Sequence, residues 1–237
     1  MNFENINENN YNEIVNYLKA LGEEDYRSFH SKIVGETSCE IIGIRLPILR
    51  KTAKEILKGD ASGFLKCSGR SYYEEIMLRG LVTAQLKGDF SELSENADSF
   101  IDYIDNWAVC DTFCCTFKSI KKYPEEFFGH LETYLTSSNQ WAVRVGLVMM
   151  MNYYLTDYYI DRVLERADNV KRDEYYIRMG KAWLLSTSFV KYRDKTLALI
   201  ESGTLDKTTL SMTIQKCVDS FRISKEDKEY LKSLRTR

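Results

Sequence analysis

Two stretches, DNWAVCDTF at 105–113 and NQWAVRVGL at 139–147, share a Trp-Ala-Val core, and KAWLLSTSF at 181–189 places a third tryptophan similarly. Trp107 and Trp141 are 34 residues apart, and Trp141 and Trp183 are 42 residues apart. These intervals fall within the range of about 34 to 47 residues that is typical of TPR, HEAT and armadillo repeats. Because a strict consensus is missing, the spacing predicts degenerate HEAT-like repeats.

The rest of the sequence also favours helices. It contains only two prolines and 12 glycines in 237 residues, and both counts are below average usage. Apolar residues recur at helical spacing in segments such as 71–87, 107–121 and 139–155, and Pro47 stands where the first turn of a helix tolerates proline. We therefore expect an all-α fold, with residues 1–237 forming one domain. Stacked helix pairs would form an α-α superhelix, a curved solenoid with a concave groove.

Other sequence features limit the compartment and the cofactors. The longest apolar run, 145–151, is far shorter than the roughly 20 residues that cross a bilayer, and the N-terminal segment lacks a secretory-signal pattern. Cys110 and Cys114 are four residues apart and could bind metal, but no CxxC pair or nearby histidine completes a site. We expect reduced, mostly buried thiols, no metal, no membrane contact and a cytoplasmic monomer.

Charge is segregated along the chain. The net charge is −2, but residues 45–87 carry a net +5 and residues 88–105 carry a net −6. On a helical scaffold this alternation permits a basic face on an acidic body, but charge alone favours the simpler interpretation of ordinary solvated helix faces. Any contact with nucleic acid must then be local, because the whole protein has no positive field.

Two tryptophans lie beside ionisable residues at helical spacing. Trp107 and Asp111 are four residues apart on one predicted helix and therefore share a face. Trp141 and Arg144 are three residues apart on a second predicted helix. Either Trp141 is a core residue with Arg144 at the rim of the core, or Trp141 is part of a ligand platform. A carboxylate beside an indole is costly to bury unless it is paired, hydrogen-bonded or functional.

Five ordered segments resemble the AlkD-like DNA alkylation repair glycosylases, a family built of HEAT-like repeats. None is a strong signature alone, but together they extend over most of the chain, from about Tyr26 to Leu231. The segments are GIRLPILRK at 43–51, YIDNWAVCD at 103–111, WAVRVGLVMM at 141–150, DEYYIRMGKAW at 173–183 and QKCVDSFRIS at 215–224.

The resemblance implies a hydrolase that excises cationic N3- and N7-alkylated purines from double-stranded DNA. In that family a tryptophan and an aspartate on one helix and a tryptophan on a later helix form the catalytic site, which corresponds to Trp107, Asp111 and Trp183. A family arginine that contacts the DNA backbone corresponds to Arg144. Further basic residues that could serve the groove are Arg45, Arg50, Lys51, Lys118, Arg178, Lys181 and Arg222.

The chemistry of these residue types fits that reaction. An alkylated purine already carries positive charge and leaves readily, so the main need is to stabilise the charge that develops on the deoxyribose. The Asp111 carboxylate can do so and can orient water, while indole faces attract cations. No metal or organic cofactor is required.

The sequence departs from the family pattern after the third tryptophan, where it reads WLLSTSFVKY. Lys191 or Arg193 could there replace a missing backbone contact. A different function remains open as well, in which a non-catalytic helical-repeat scaffold binds nucleic acid or a protein through the same groove.

Overall fold

The computed structural model describes residues 1–35 and 37–236. The structure is 71% helical, and its described residues form 14 α-helices and two short 3₁₀ helices, with no strand. The prediction of an all-α fold is confirmed. Contacts divide the chain into two compact units, Met1–Phe127 and Phe128–Arg237.

The helices of the first unit are α1 (Tyr11–Ala20), α2 (Glu24–Val34), α3 (Leu46–Lys58), α4 (Ala61–Cys67), α5 (Tyr73–Thr83), α6 (Phe90–Ile101), α7 (Trp107–Thr116) and a 3₁₀ helix at Lys118–Lys122. Helix α8 (Pro124–Leu135) contains the boundary between the units. The second unit continues with α9 (Gln140–Tyr153), α10 (Ile160–Asn169), α11 (Tyr175–Lys191), α12 (Arg193–Glu201), α13 (Lys207–Asp219), α14 (Lys225–Ser233) and a 3₁₀ helix at Leu234–Thr236.

In the first unit, helix α5 packs against both α3 and α7, so alternate helices along the chain contact one another. Helix α5 is buried along its whole length except at Arg79. Its buried carboxylate at Glu74 accepts hydrogen bonds from the backbone N–H groups of residues 42–44. Gly43 within that loop has a φ of +96°, which favours glycine. Glu74 therefore fixes a loop that leads into α3.

In the second unit, the same order recurs in α9, α11 and α13, while α10 and α12 pack against α11. The apolar run of the sequence lies in α9, where residues 141–151 are all buried. Contacts between alternate helices along the chain, as between α9 and α11, are expected when helix pairs stack. No helix in the described part of the chain is long and apolar enough to cross a membrane.

The predicted helix boundaries differ from the observed ones in three places. The segment predicted as one helix at 107–121 breaks at Phe117, whose ψ of 61° ends α7 before the 3₁₀ helix begins. The segment predicted at 71–87 is shorter, as α5. Helix α4 was not predicted, because seven residues that include a glycine show little periodicity; Asp60 begins it by accepting a hydrogen bond from the Gly63 amide.

Candidate functional site

Helix α7 carries the Trp107–Asp111 pair, and two side chains fix its beginning. The Asn106 side-chain oxygen accepts a hydrogen bond from the Val109 amide at 3.0 Å and so caps the helix. The Asp105 carboxylate accepts hydrogen bonds from the Ser38 amide at 2.7 Å, the Ser38 hydroxyl at 2.6 Å and the Thr37 hydroxyl at 2.8 Å. Burial opposes the charge on Asp105, but these hydrogen bonds outweigh it and lower the pKa of Asp105.

Trp107 and Asp111 line the same cavity, with a volume of about 220 Å³. Both residues are partly exposed, so the indole and the carboxylate are accessible to a ligand. Asp111 is the one carboxylate among the residues that line the cavity in the described part of the chain. The remaining lining residues are Tyr26, His30, Ile44, Leu46, Leu49, Tyr73, Met77, Ala108 and Thr112.

A second aromatic wall of the cavity comes from α2 and α5. The Tyr26 and His30 rings stack with their centroids 5.1 Å apart, and the His30 ring meets the Tyr73 ring edge-on at 5.2 Å. Burial lowers the pKa of His30, so its imidazole is neutral at pH 7 and adds no cation to the cavity. None of these three residues was a candidate from the sequence, although Tyr26 and His30 are four residues apart on helix α2.

Helix α7 carries three cysteines, of which Cys110 and Cys114 are buried and Cys115 is exposed. Cys110 and Cys114 are fully buried, and burial, followed by the hydrogen bond with Cys110, raises the pKa of Cys114. A buried, protonated thiol is a poor nucleophile, which favours a packing role. Among residues 1–35 and 37–236, no group of three or more His, Cys, Asp or Glu side chains is arranged to hold a metal ion.

In the second unit, Trp183 is partly exposed and lines a cavity of about 230 Å³. Two cationic side chains, Lys216 and Arg222, line the same cavity. Arg222 was among the basic candidates from the sequence, whereas Lys216 was not. The other lining residues are Ser186, Thr187, Val190, Asp219 and Ser220.

Trp141 and Arg144 are both buried, with 8% and 4% of their surfaces exposed. The Trp141 ring lies 4.8 Å from the Tyr176 ring, and the Arg144 Nη1 donates a hydrogen bond to the Tyr176 carbonyl at 2.8 Å. Both residues therefore join α9 to α11. This position makes Trp141 a core residue and favours a structural role for Arg144 over a phosphate contact.

Two further basic candidates have partners within the fold. Lys181 is 3% exposed, and its ammonium donates to the carbonyls of Asp168 at 3.3 Å and Val170 at 3.1 Å. Burial, followed by repulsion from Lys171, lowers the pKa of Lys181 to about 8. Arg178 lies 3.5 Å from the Asp206 carboxylate, which itself caps α13. These environments favour structural roles for Lys181 and Arg178.

The remaining candidates are exposed. Arg45 pairs with Glu23 at 3.0 Å, and its guanidinium lies 4.7 Å from the centre of the Tyr26 ring, at the edge of the Trp107–Asp111 cavity. Lys51 is exposed on α3, and Lys191 is exposed at the end of α11. Arg193 forms ion pairs with Asp227 and with Asp194. Arg50 and Lys118 together line another cavity of the first unit.

Comparison with known proteins agrees with the resemblance in the sequence. Residues 4–214 match the family model described as DNA alkylation repair enzyme. No match was found among curated proteins. Because the matched region includes most of the chain, this protein belongs to the DNA alkylation repair enzyme family.

Proposed function

We propose that this protein is a DNA glycosylase that hydrolyses the N-glycosidic bond of cationic N3- and N7-alkylated purines in duplex DNA. The main support is that Trp107 and Asp111 line one accessible cavity with aromatic walls and a single carboxylate. Membership of a DNA repair family supports DNA as the substrate.

The proposed role of Asp111 is electrostatic. As the bond to a cationic purine breaks, positive charge develops on the deoxyribose, and a fixed carboxylate in a partly desolvated cavity stabilises it. The same carboxylate orients the water that attacks the sugar carbon. The base leaves neutral, so it needs no protonation, and the proposal includes no metal or organic cofactor.

The proposed role of the aromatic side chains is to hold the cationic nucleotide. Trp107 presents an indole face to the lesion, because such faces attract cations and pack against sugars. Tyr26 and Tyr73 add aromatic surface around Asp111, and burial raises the pKa of Tyr73, which keeps its hydroxyl protonated. A neutral His30 leaves the attraction between Asp111 and the cation uncompensated.

Release of bases from methylated duplex DNA tests this proposal. We expect the wild-type protein to release 7-methylguanine or 3-methyladenine, and Asp111→Asn to slow single-turnover release by about 10²- to 10³-fold, since that is the usual loss for one preorganised electrostatic group. Asp102→Asn is the matched control, because Asp102 is an exposed carboxylate at the end of α6. Circular dichroism and thermal melting should show that both variants fold.

The outcome separates the glycosylase from the non-catalytic scaffold. A scaffold binds duplex DNA without releasing a base, and its binding survives Asp111→Asn. Full activity of Asp111→Asn would instead exclude Asp111 from the proposed role while leaving the reaction intact.

A further inference from the structure

The first unit contains a second and larger cavity, of about 640 Å³, which we call the basic cleft. Five cationic side chains line it: Arg50 and Lys54 from α3, Lys87 from the loop after α5, and Lys118 and Lys122 from the 3₁₀ helix. None of the residues that line the cleft is acidic, and the remaining ones are Ala84, Gln85, Leu86, Cys115, Thr116 and Ser119.

The cations of the basic cleft differ in their partners from several other basic residues, which form ion pairs. In the described ranges 1–35 and 37–236, none of the five lies within ion-pair distance of a carboxylate, whereas Lys58 on the same helix α3 pairs with Glu55 at 3.0 Å. All five are exposed. Like charges around one cavity repel one another, so this arrangement favours the binding of an anion.

Neutral polar groups fix part of the wall. The Arg50 Nη1 lies 3.5 Å from the Thr116 hydroxyl, which in turn donates to the Thr112 carbonyl at 2.7 Å. The Ser119 hydroxyl lies 3.4 Å from the Leu86 carbonyl and joins the 3₁₀ helix to the loop after α5. These contacts join Arg50 to α7 and the 3₁₀ helix to the loop after α5.

Helix α7 connects the basic cleft to the Trp107–Asp111 cavity. Asp111 and Thr112 line the cavity, while Cys115 and Thr116 line the cleft. A separation of four residues along an α-helix is about 6 Å. Duplex DNA advances about 3.4 Å along its axis per base pair, so a duplex whose axis runs parallel to α7, with the lesion at Asp111, reaches the cleft about two nucleotides from the lesion.

We propose that the basic cleft binds two or three consecutive phosphodiesters of the DNA strand that carries the lesion, beginning about two nucleotides from the damaged base. Lys54, Lys87 and Lys122 then join Arg50 and Lys118 as phosphate-binding residues. This role rests on the proposed DNA substrate. Several cations in a cleft that has no acidic lining residue suit a polyanion better than a single phosphate, and they give a protein of net charge −2 a local attraction for DNA.

The salt dependence of DNA binding tests this site. The probe is a fluorescent duplex with a tetrahydrofuran abasic analogue, which cannot be hydrolysed, and the readout is anisotropy between 50 and 200 mM salt. Each lost phosphate contact lowers the magnitude of the slope of log K against log salt by about 0.9. Removing Lys118 and Lys122 together (K118A and K122A) should therefore lower the magnitude of the slope by about 1.8. Between 50 and 200 mM salt the double variant should then lose about 12-fold less affinity than the wild type loses.

The control is the pair K58A and K66A, because both lysines are exposed in the same unit and neither lines the cleft. It should leave the slope within about 0.5 of the wild-type value. Both double variants should retain the wild-type circular dichroism and melting temperature. A slope that changes equally in the two double variants would overturn the assignment.

Neutral methylphosphonate linkages locate the phosphates. Wild-type binding should weaken when the neutral linkage lies about two to four nucleotides from the abasic site on one side, and the K118A and K122A variant should be insensitive to the same linkage. Equal sensitivity in the two proteins overturns the site. Base release by the wild-type protein is measured separately. If the K118A and K122A variant has a reduced salt slope but the wild type releases no base, the cleft assignment stands and the glycosylase proposal fails. If the wild type releases base but the slope of the variant is unchanged, the glycosylase proposal stands and the cleft assignment fails. No DNA binding at all rejects both.

Discussion

Asp105 should stabilise the first unit by holding the segment around Ser38 against the beginning of α7. Its carboxylate accepts three hydrogen bonds from Thr37 and Ser38 and one from the Asn106 side chain at 2.7 Å. A hydrogen bond to a charged group contributes about 1.5 to 3 kcal/mol, but Ser38 is exposed and water can replace part of the loss. We expect Asp105→Ala to lower the free energy of unfolding by about 2 to 3 kcal/mol.

The loss should depend on pH in one direction. The pKa of Asp105 is lower in the folded protein than the ordinary value of 3.8, so its contribution is complete above that value and is lost as the pH falls through the folded pKa. The difference between the wild type and Asp105→Ala should therefore be constant from pH 7 to about pH 5 and shrink below about pH 4.

Urea unfolding followed by circular dichroism measures the free energies, and hydrogen exchange of the α7 amides gives a local readout if the two units unfold separately. Asp102→Ala is the control and should change the free energy by less than about 0.5 kcal/mol. Since Trp107 follows Asp105 by two residues, Asp105→Ala should also slow base release by about tenfold. Unchanged unfolding and unchanged exchange at α7 would refute the anchoring role.

Two other predictions concern packing and charge. Gly80→Ala should destabilise the protein by about 1 to 2 kcal/mol, because the added carbon would lie 2.5 Å from the Phe100 ring. Gly129→Ala adds a carbon with nothing within 4 Å and should stabilise the protein by about 0.5 to 1 kcal/mol. Thermal melting of both variants tests the two signs. The folded pKa of Lys181, about 8, is below its ordinary value of 10.5, so the unfolded chain binds more protons between these values and the free energy of unfolding rises with pH there. Lys181→Met should remove a rise of up to about 1.4 kcal/mol per pH unit, and parallel slopes for the two proteins from pH 8 to 10 would contradict this.

The sequence was sufficient to predict the helical fold because its signals are local. Apolar periodicity, scarce prolines and the Trp-Ala-Val spacing identify helices that then pack in the order α3, α5, α7 and α9, α11, α13. The end of α7 was not predictable in the same way. The residues after Thr116 keep an apolar periodicity, but the backbone of Phe117 leaves the helical region where its ring packs against Phe113 and Phe127.

The candidate site was predictable only as far as its residues share a helix. Trp107 and Asp111 were identified from their spacing of four, and they do line one cavity. Tyr73 could not be associated with them, because it comes from α5 and its place beside His30 depends on the packing of α5 against other helices. The indole of Trp141 has the same local pattern as Trp107, yet it is buried against Tyr176.

Counting charges along the chain could not identify the cations that are available to DNA, because several of the groups that bind a cation are distant from it in sequence. The ammonium of Lys181 is bound by carbonyls 11 and 13 residues away, and Arg144 by a carbonyl 32 residues away. Lys122 and Lys54 look no different in sequence, but the fold gives them no carboxylate partner within the described residues and places them around one cavity. A cation that already has a partner within the fold gains little from binding a phosphate, since it must first lose that partner. A cation held among like charges gains more, because the phosphate reduces the repulsion between them. The attraction for DNA should therefore depend on the cations that line the basic cleft, and hardly on the net charge.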